Sequence, residues 1–166
     1  MLFSDAGKAV RFHEEDVRPL SRTARGVRGM WLDEGQRVIS MLAAADESQS
    51  VLTATEKGFG KRTPIAEYTQ HGRGSKGMIA IQTSDRNGKL IGAELVNEGD
   101  QVMLISTGGV LIRTQVSQIR EMGRSTQGVT LISLDDGTKL AGLEKVIESD
   151  EPGEANGGPD GDGQPS

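Results

Sequence analysis

The 166-residue sequence contains no cysteine, which excludes disulfides, thiolate nucleophiles and cysteine-ligated zinc. Its two histidines, His13 and His71, offer too little for a histidine metal site. Aromatic residues make up 3% of the chain (Phe3, Phe12, Trp31, Phe59 and Tyr68), too sparse a set for successive base stacking on a single strand. No apolar run approaches the roughly 18 residues that a membrane helix needs. The opening Met1-Leu2-Phe3-Ser4-Asp5 lacks the basic-then-apolar layout of a secretory signal. The composition therefore reads as a soluble, intracellular protein with a modest core, 34% of its residues being hydrophobic.

The net charge of −5 hides an uneven distribution. All 19 Lys and Arg residues lie between Lys8 and Lys145, and residues 1–147 hold 18 Asp and Glu. Residues 148–166 carry six acidic residues, no basic ones, five Gly and three Pro. Such a segment can bury too little apolar surface to offset its ordering entropy, so a disordered acidic tail is expected there. It serves either as a solubiliser or as an anionic segment competing for a basic face on its own body.

The body is dominated by an internal repeat. Displacing the sequence by 51 residues, twice, superposes Gly7, Gly58 and Gly109, then Arg11, Arg62 and Arg113. The same register aligns Val17, Tyr68 and Ile119; Arg22, Arg73 and Arg124; and Gly26, Gly77 and Gly128. Arg25 falls on Lys76 and Gln127. Gly35, Gly88 and Gly137 also correspond, with two extra residues in the middle copy. The units are about 1–50, 51–101 and 102–147. Met1 aligns with Leu52 and Met103, so the first unit is expected to begin inside a strand, as the C-terminal part of a longer array would.

Each unit reads as strands. In the middle copy these are 51–55, 59–63, 78–83 and 90–96; in the third, 102–106, 110–114, 129–134 and 139–146. Gly58, Gly108-Gly109, Asn87-Gly88 and Asp136-Gly137 separate them, and Asn-Gly and Asp-Gly are hairpin signals. Four strands per 50 residues, without a sustained helical period, predict an all-β array of three propeller-like blades.

The chemistry is sparse apart from the cations. Neither histidine recurs in the repeat or neighbours a nucleophile motif. Gly72-Arg73-Gly74-Ser75-Lys76-Gly77 fits a dinucleotide-binding pattern, but the strand-like Met78-Ile79-Ala80-Ile81 follows where a helix is required. The equivalent strings, 21–26 and 123–128, keep the arginine and lose the glycines. What recurs is a basic loop ending in a turn glycine. Arg11, Arg62 and Arg113, together with Arg22, Arg73 and Arg124, and Arg25 with Lys76, would lie in rows along the array. Rows of cations suit a phosphate backbone, which makes duplex DNA the expected partner. The competing expectation is that these arginines pair with nearby carboxylates such as Glu15, Glu67 or Glu121.

Glu56-Lys57-Gly58-Phe59-Gly60-Lys61-Arg62-Thr63 with Ala66-Glu67-Tyr68, Arg25-Gly26-Val27-Arg28-Gly29, and Gly123-Arg124-Ser125-Thr126-Gln127-Gly128-Val129 together resemble the C-terminal domain of bacterial DNA gyrase A. The resemblance covers residues 1–147. It implies a β-pinwheel whose four-stranded blades exchange strands, of which this chain holds the last three. It further implies duplex wrapping that supports ATP-dependent negative supercoiling, with the rest of gyrase A and with gyrase B as partners in an A2B2 topoisomerase. Nucleoid association in the cytoplasm follows. ATP, Mg and the catalytic tyrosine would belong to other parts of that enzyme, leaving this chain non-catalytic and without a cofactor. The family heptad Gln-Arg-Arg-Gly-Gly-Lys-Gly is absent, and Gln70-His71-Gly72-Arg73-Gly74-Ser75-Lys76-Gly77 only echoes it. Tyr68 occupies a repeat core position, not a catalytic one. The alternatives are the equivalent domain of topoisomerase IV and a β-repeat scaffold for protein–protein contacts.

Overall fold

The computed structural model of the chain describes residues 1–147; the expected acidic tail lies outside them. Eleven strands are formed: β1 (Leu2–Ser4), β2 (Lys8–Val10), β3 (Val38–Met41), β4 (Ser50–Thr55), β5 (Phe59–Pro64), β6 (Met78–Ile79), β7 (Leu90–Val96), β8 (Gln101–Ser106), β9 (Leu111–Gln115), β10 (Val129–Thr130) and β11 (Leu140–Lys145). The only helical elements among the described residues are single 3-10 turns at Glu14–Asp16, Ile65–Glu67 and Val116–Gln118. These turns recur at the 51-residue displacement.

The strands make three antiparallel sheets, ordered β3-β1-β2-β6, β10-β5-β4-β7 and β11-β8-β9. The first two sheets each take three strands from one sequence unit and the fourth from the next. Thus β6 pairs with β2 (Ala9 opposite Met78), and β10 pairs with β5 (Gly60 opposite Val129). The third sheet has three strands, and β9 forms its edge. This exchange accounts for two departures from the sequence reading. The stretches expected as strands at 78–83 and 129–134 pair for two residues each, then bend around the hairpin of the preceding sheet. Ala80 and Ile81 both donate to the Gly7 carbonyl, as Leu131 and Ile132 do to that of Gly58. The Asn87-Gly88 and Asp136-Gly137 turns form, but each joins strands of different sheets and closes no hairpin.

Two glycine positions are fixed by these close approaches. Gly58 has φ +86°, and a Cβ there would lie 2.4 Å from the Ile132 carbonyl oxygen. Gly128 has φ +81°, and its Cβ would lie 2.5 Å from the carbonyl oxygen of Gly60. Left-handed backbone and backbone contact together leave room for glycine alone.

The core lies between neighbouring sheets. Phe3, Val51, Ile65, Tyr68, Ala80 and Ile81 fill the first junction; Leu52, Val96, Val102, Val116 and Ile119 fill the second. Strand β4, serving both, is buried on both faces, whereas β8 alternates between buried and half-buried residues. The 3-10 turns seat these residues: Ile65 and Tyr68 in the second unit match Val116 and Ile119 in the third. The first unit's equivalent, Val17, is 43% exposed because no sheet lies before it among the described residues. Tyr68 packs edge-on against Phe3, with ring centroids 5.9 Å apart.

Candidate nucleic-acid interface

The basic loops 72–77 and 123–128 lead into the segment that crosses to the preceding sheet, whereas the equivalent loop 21–26 has no preceding sheet among the described residues. The second and third loops are therefore held between two units, and their arginines have main-chain carbonyls within reach. Arg73 donates through Nε to the Asp16 carbonyl at 2.9 Å and through an Nη to that of Arg28 at 3.2 Å. Arg124 donates through an Nη to the Ile79 carbonyl at 2.7 Å, the position equivalent to Arg28. The Arg124 backbone N–H also donates to Glu67 at 2.8 Å. Arg22 and Arg25, in the first unit, are exposed and have no protein partner in the described structure.

The other arginine set reaches forward. Arg11 donates to the carbonyls of Ile65 and Tyr68 and pairs with Glu47 at 2.6 Å. Arg62 donates through Nε to the Ile119 carbonyl at 2.6 Å, with its Nη groups still available. Arg113 is exposed and donates to Gln101. Lys76 is exposed and lies 3.4 Å from Asp33. The acceptors of the four braced arginines are thus mainly carbonyls of the neighbouring unit. Glu15 and Glu121 accept from none of these arginine side chains in the described structure.

The structure adds residues that repeat reasoning passes over. Lys61 is fully buried and donates to the carbonyls of Gly123, Arg124 and Thr126 and to the Thr126 hydroxyl. Burial lowers its ammonium to about 8, with Glu67 opposing the shift and Arg124 reinforcing it. The two equivalent positions hold Val10 and Ile112, so the one visible signal is a charge breaking an apolar repeat position. Asn87 is also buried, and its amide bridges the carbonyls of Gln82 and Gln127 at 2.7 Å each. Arg86 stacks over Phe59 at 4.1 Å and donates to Gln127 and Gly128. Together these groups fix the loop that carries Arg124.

The remaining candidates are structural. Tyr68 is completely buried, and burial pushes its phenol above the ordinary range. His13 caps the first 3-10 turn by accepting from the Glu15 N–H at 3.2 Å. No group of three or more His, Cys, Asp or Glu that could hold a metal occurs among the described residues. No helix there is long and apolar enough to cross a membrane.

Sheets of four antiparallel strands, tied by a strand from the next unit, define an array of β-pinwheel blades, a propeller-like class. The model of the DNA gyrase C-terminal domain, beta-propeller, matches residues 1–45, 49–97 and 100–146, and the chain belongs to that family. The DNA gyrase A protein of Pseudomonas aeruginosa is 54% identical over 148 residues, which cover 89% of this chain and 16% of that protein. The DNA gyrase A protein of Escherichia coli is 45% identical over 148 residues, covering 89% of this chain and 17% of the relative. The chain therefore spans about a sixth of the length of these relatives. A solved DNA gyrase A C-terminal domain superposes with a TM-score of 0.80 at 28% identity, over 88% of this chain and 50% of that one. The C-terminal domain of DNA topoisomerase IV has the same fold, with a TM-score of 0.81 at 23% identity over 87% of this chain and 45% of that one.

Proposed function

We propose that this chain binds duplex DNA through its phosphates and bends it along the blade rim, as a non-catalytic piece of DNA gyrase A. The observation that carries this reading is the loop arginine at positions 22, 73 and 124. In each unit it stands on the same connection, and in the second and third it is braced on one side by main-chain carbonyls while other N–H groups have no protein partner. A guanidinium fixed in this way loses less rotamer freedom when a phosphate arrives. Arg25, Lys76 and Arg113 would extend the row, and Arg62, whose Nη groups have no protein partner, would add to it. Arg11, with its guanidinium engaged by Glu47 and two carbonyls, contributes mainly by fixing the blade junction.

Within the complete A2B2 enzyme, the curved segment would feed a strand-passage centre in the rest of gyrase A, driven by ATP on gyrase B. The chain itself would carry no catalytic residue and no cofactor, and it would work in the cytoplasm at the nucleoid. The three units 1–50, 51–101 and 102–147 would act as successive contact points along the duplex. Binding of the full chain to unrelated duplexes over a salt series tests the proposal. Affinity should fall with salt and be indifferent to sequence. Salt-independent or sequence-selective binding would refute it.

A further inference from the structure

The loop 123–128 differs from its counterpart 72–77 in how its main chain is turned. Each of its carbonyls, from Gly123 to Gly128, accepts from a side chain of the second unit. Lys61 Nζ takes those of Gly123 (2.6 Å), Arg124 and Thr126 (3.1 Å). Gln82 takes that of Ser125 at 3.2 Å, Asn87 that of Gln127 at 2.7 Å and Arg86 that of Gly128 at 3.4 Å. In loop 72–77 Val10 stands in the place of Lys61. There, of the carbonyls 72–76, only that of Ser75 accepts from a described residue, the Trp31 N–H at 2.8 Å.

A trans peptide carries its N–H opposite its carbonyl, and every described peptide is trans. Carbonyls of Arg124 and Thr126 that face Lys61 therefore turn the N–H groups of Ser125 and Gln127 the other way. Both residues are exposed, and neither N–H has a protein partner in the described structure. The Arg124 N–H, turned out likewise by the Gly123 carbonyl, already holds an anionic oxygen, that of Glu67 at 2.8 Å. In loop 72–77 the N–H equivalent to that of Ser125 belongs to Gly74 and is taken by the Gly29 carbonyl at 2.7 Å.

Main-chain N–H groups turned to one side of a loop form a concavity suited to an anion. Here a cation lies behind them. The Lys61 ammonium polarises the same peptides whose N–H groups point outward, which strengthens them as donors. Its pKa of about 8 leaves it mostly charged at neutral pH, with Glu67 and Arg124 as the charged groups that act on it. The Arg124 guanidinium spends one Nη on the Ile79 carbonyl, and its other N–H groups have no protein partner.

We propose that loop 123–127 holds a phosphate group by its main chain, through the N–H groups of Ser125 and Gln127, with Lys61 as the positioning residue beneath them. The inference rests on the DNA reading above and deepens it: of the two braced loops, this one grips a phosphate with backbone as well as side chain. Main-chain donors carry no rotamer freedom, so the contact costs little ordering. A backbone phosphate of the duplex and free phosphate share the chemistry that the site recognises.

The amide resonances of the isotope-labelled full chain test this, during titration with a short duplex and, separately, with inorganic phosphate. The Ser125 and Gln127 amides should move downfield with either probe, and further than that of Gly74, whose N–H is already taken. Lys61→Met should abolish this excess movement and lower duplex affinity by at least about tenfold, the worth of one charge-assisted hydrogen bond. The wild-type titration decides the site whether or not that variant folds. A bound duplex that moves Ser125 and Gln127 no further than Gly74 would refute the site and leave the DNA reading standing. Movement with inorganic phosphate while no duplex binds would uphold the site, as one for free phosphate, and refute the DNA reading. An excess that survives Lys61→Met would overturn the part given to the ammonium.

Discussion

Arg62 Nε lies 2.6 Å from the carbonyl oxygen of Ile119, and one unit earlier Arg11 makes the equivalent contact with the carbonyl of Tyr68 at 3.0 Å. The pair is a junction device: a guanidinium at the end of one blade holds the 3-10 turn of the next, whose Ile119 or Tyr68 fills the core between them. Arg62→Ala should therefore destabilise the fold by about 1.5–3 kcal/mol, the range for a hydrogen bond that involves a charged group. Arg22→Ala, at an exposed side chain with no partner, should leave stability unchanged. Denaturant unfolding of the two variants checks this, and equal stabilities would remove the bracing role.

Gly26 and Gly128 offer a comparison at one repeat position. Alanine at either adopts a left-handed backbone at a cost of about 1–2 kcal/mol. Gly128→Ala must in addition drive a Cβ against the Gly60 carbonyl, whereas Gly26→Ala enters open space. The Gly128 variant should be less stable by roughly a further 1–3 kcal/mol. Thermal unfolding of both would show it, and equal losses would contradict the packed junction.

Lys61 gives a pH dependence with a defined sign. Its ammonium titrates at about 8 in the folded chain, against an ordinary value of 10.5 when unfolded. Between these values the unfolded chain binds more protons, so this group adds stability as pH rises from about 8 to 10.5. Wild type minus Lys61→Met, compared by denaturant unfolding at several pH values, should show a difference that grows across this window. A flat or falling difference would place the titration elsewhere.

The acidic segment 148–166 supplies a fourth test. Six carboxylates tethered beside the last unit should compete with phosphate for Arg113 and Arg124, and the competition should weaken as salt rises. Comparing the full chain with a variant whose six acids are replaced by Asn and Gln should reveal tighter DNA binding by the variant at low salt only. Equal affinities at low salt would leave the segment a solubiliser.

Much of this architecture is written in the sequence because the repeat needs no gap over its main stretch. The turn glycines, the core positions at Tyr68 and Ile119, and most strands can be placed by displacement alone. Strand exchange leaves no such trace in the periodicity. A two-residue strand such as Val129–Thr130 carries no pattern that says which sheet receives it, and only the family resemblance pointed to exchange. The braces at Arg11 and Arg62 were equally hidden, since a main-chain carbonyl has no side-chain signature. Carboxylates such as Glu15 and Glu121 were the visible partners, yet they accept from neither. Lys61 could be noticed as a charge where Val10 and Ile112 stand, but its role emerges only once loop 123–126 is folded over it.

The central claim is that the loop cations meet phosphates. Its most direct measurement is the salt dependence of duplex affinity for the full chain and for Arg73→Ala and Arg124→Ala, on two unrelated sequences. The logarithm of the binding constant should fall linearly with the logarithm of salt concentration. Each substitution should lower the slope by about 0.9, one phosphate contact, alike on both sequences. Slopes unchanged by the substitutions, or losses confined to one sequence, would contradict it.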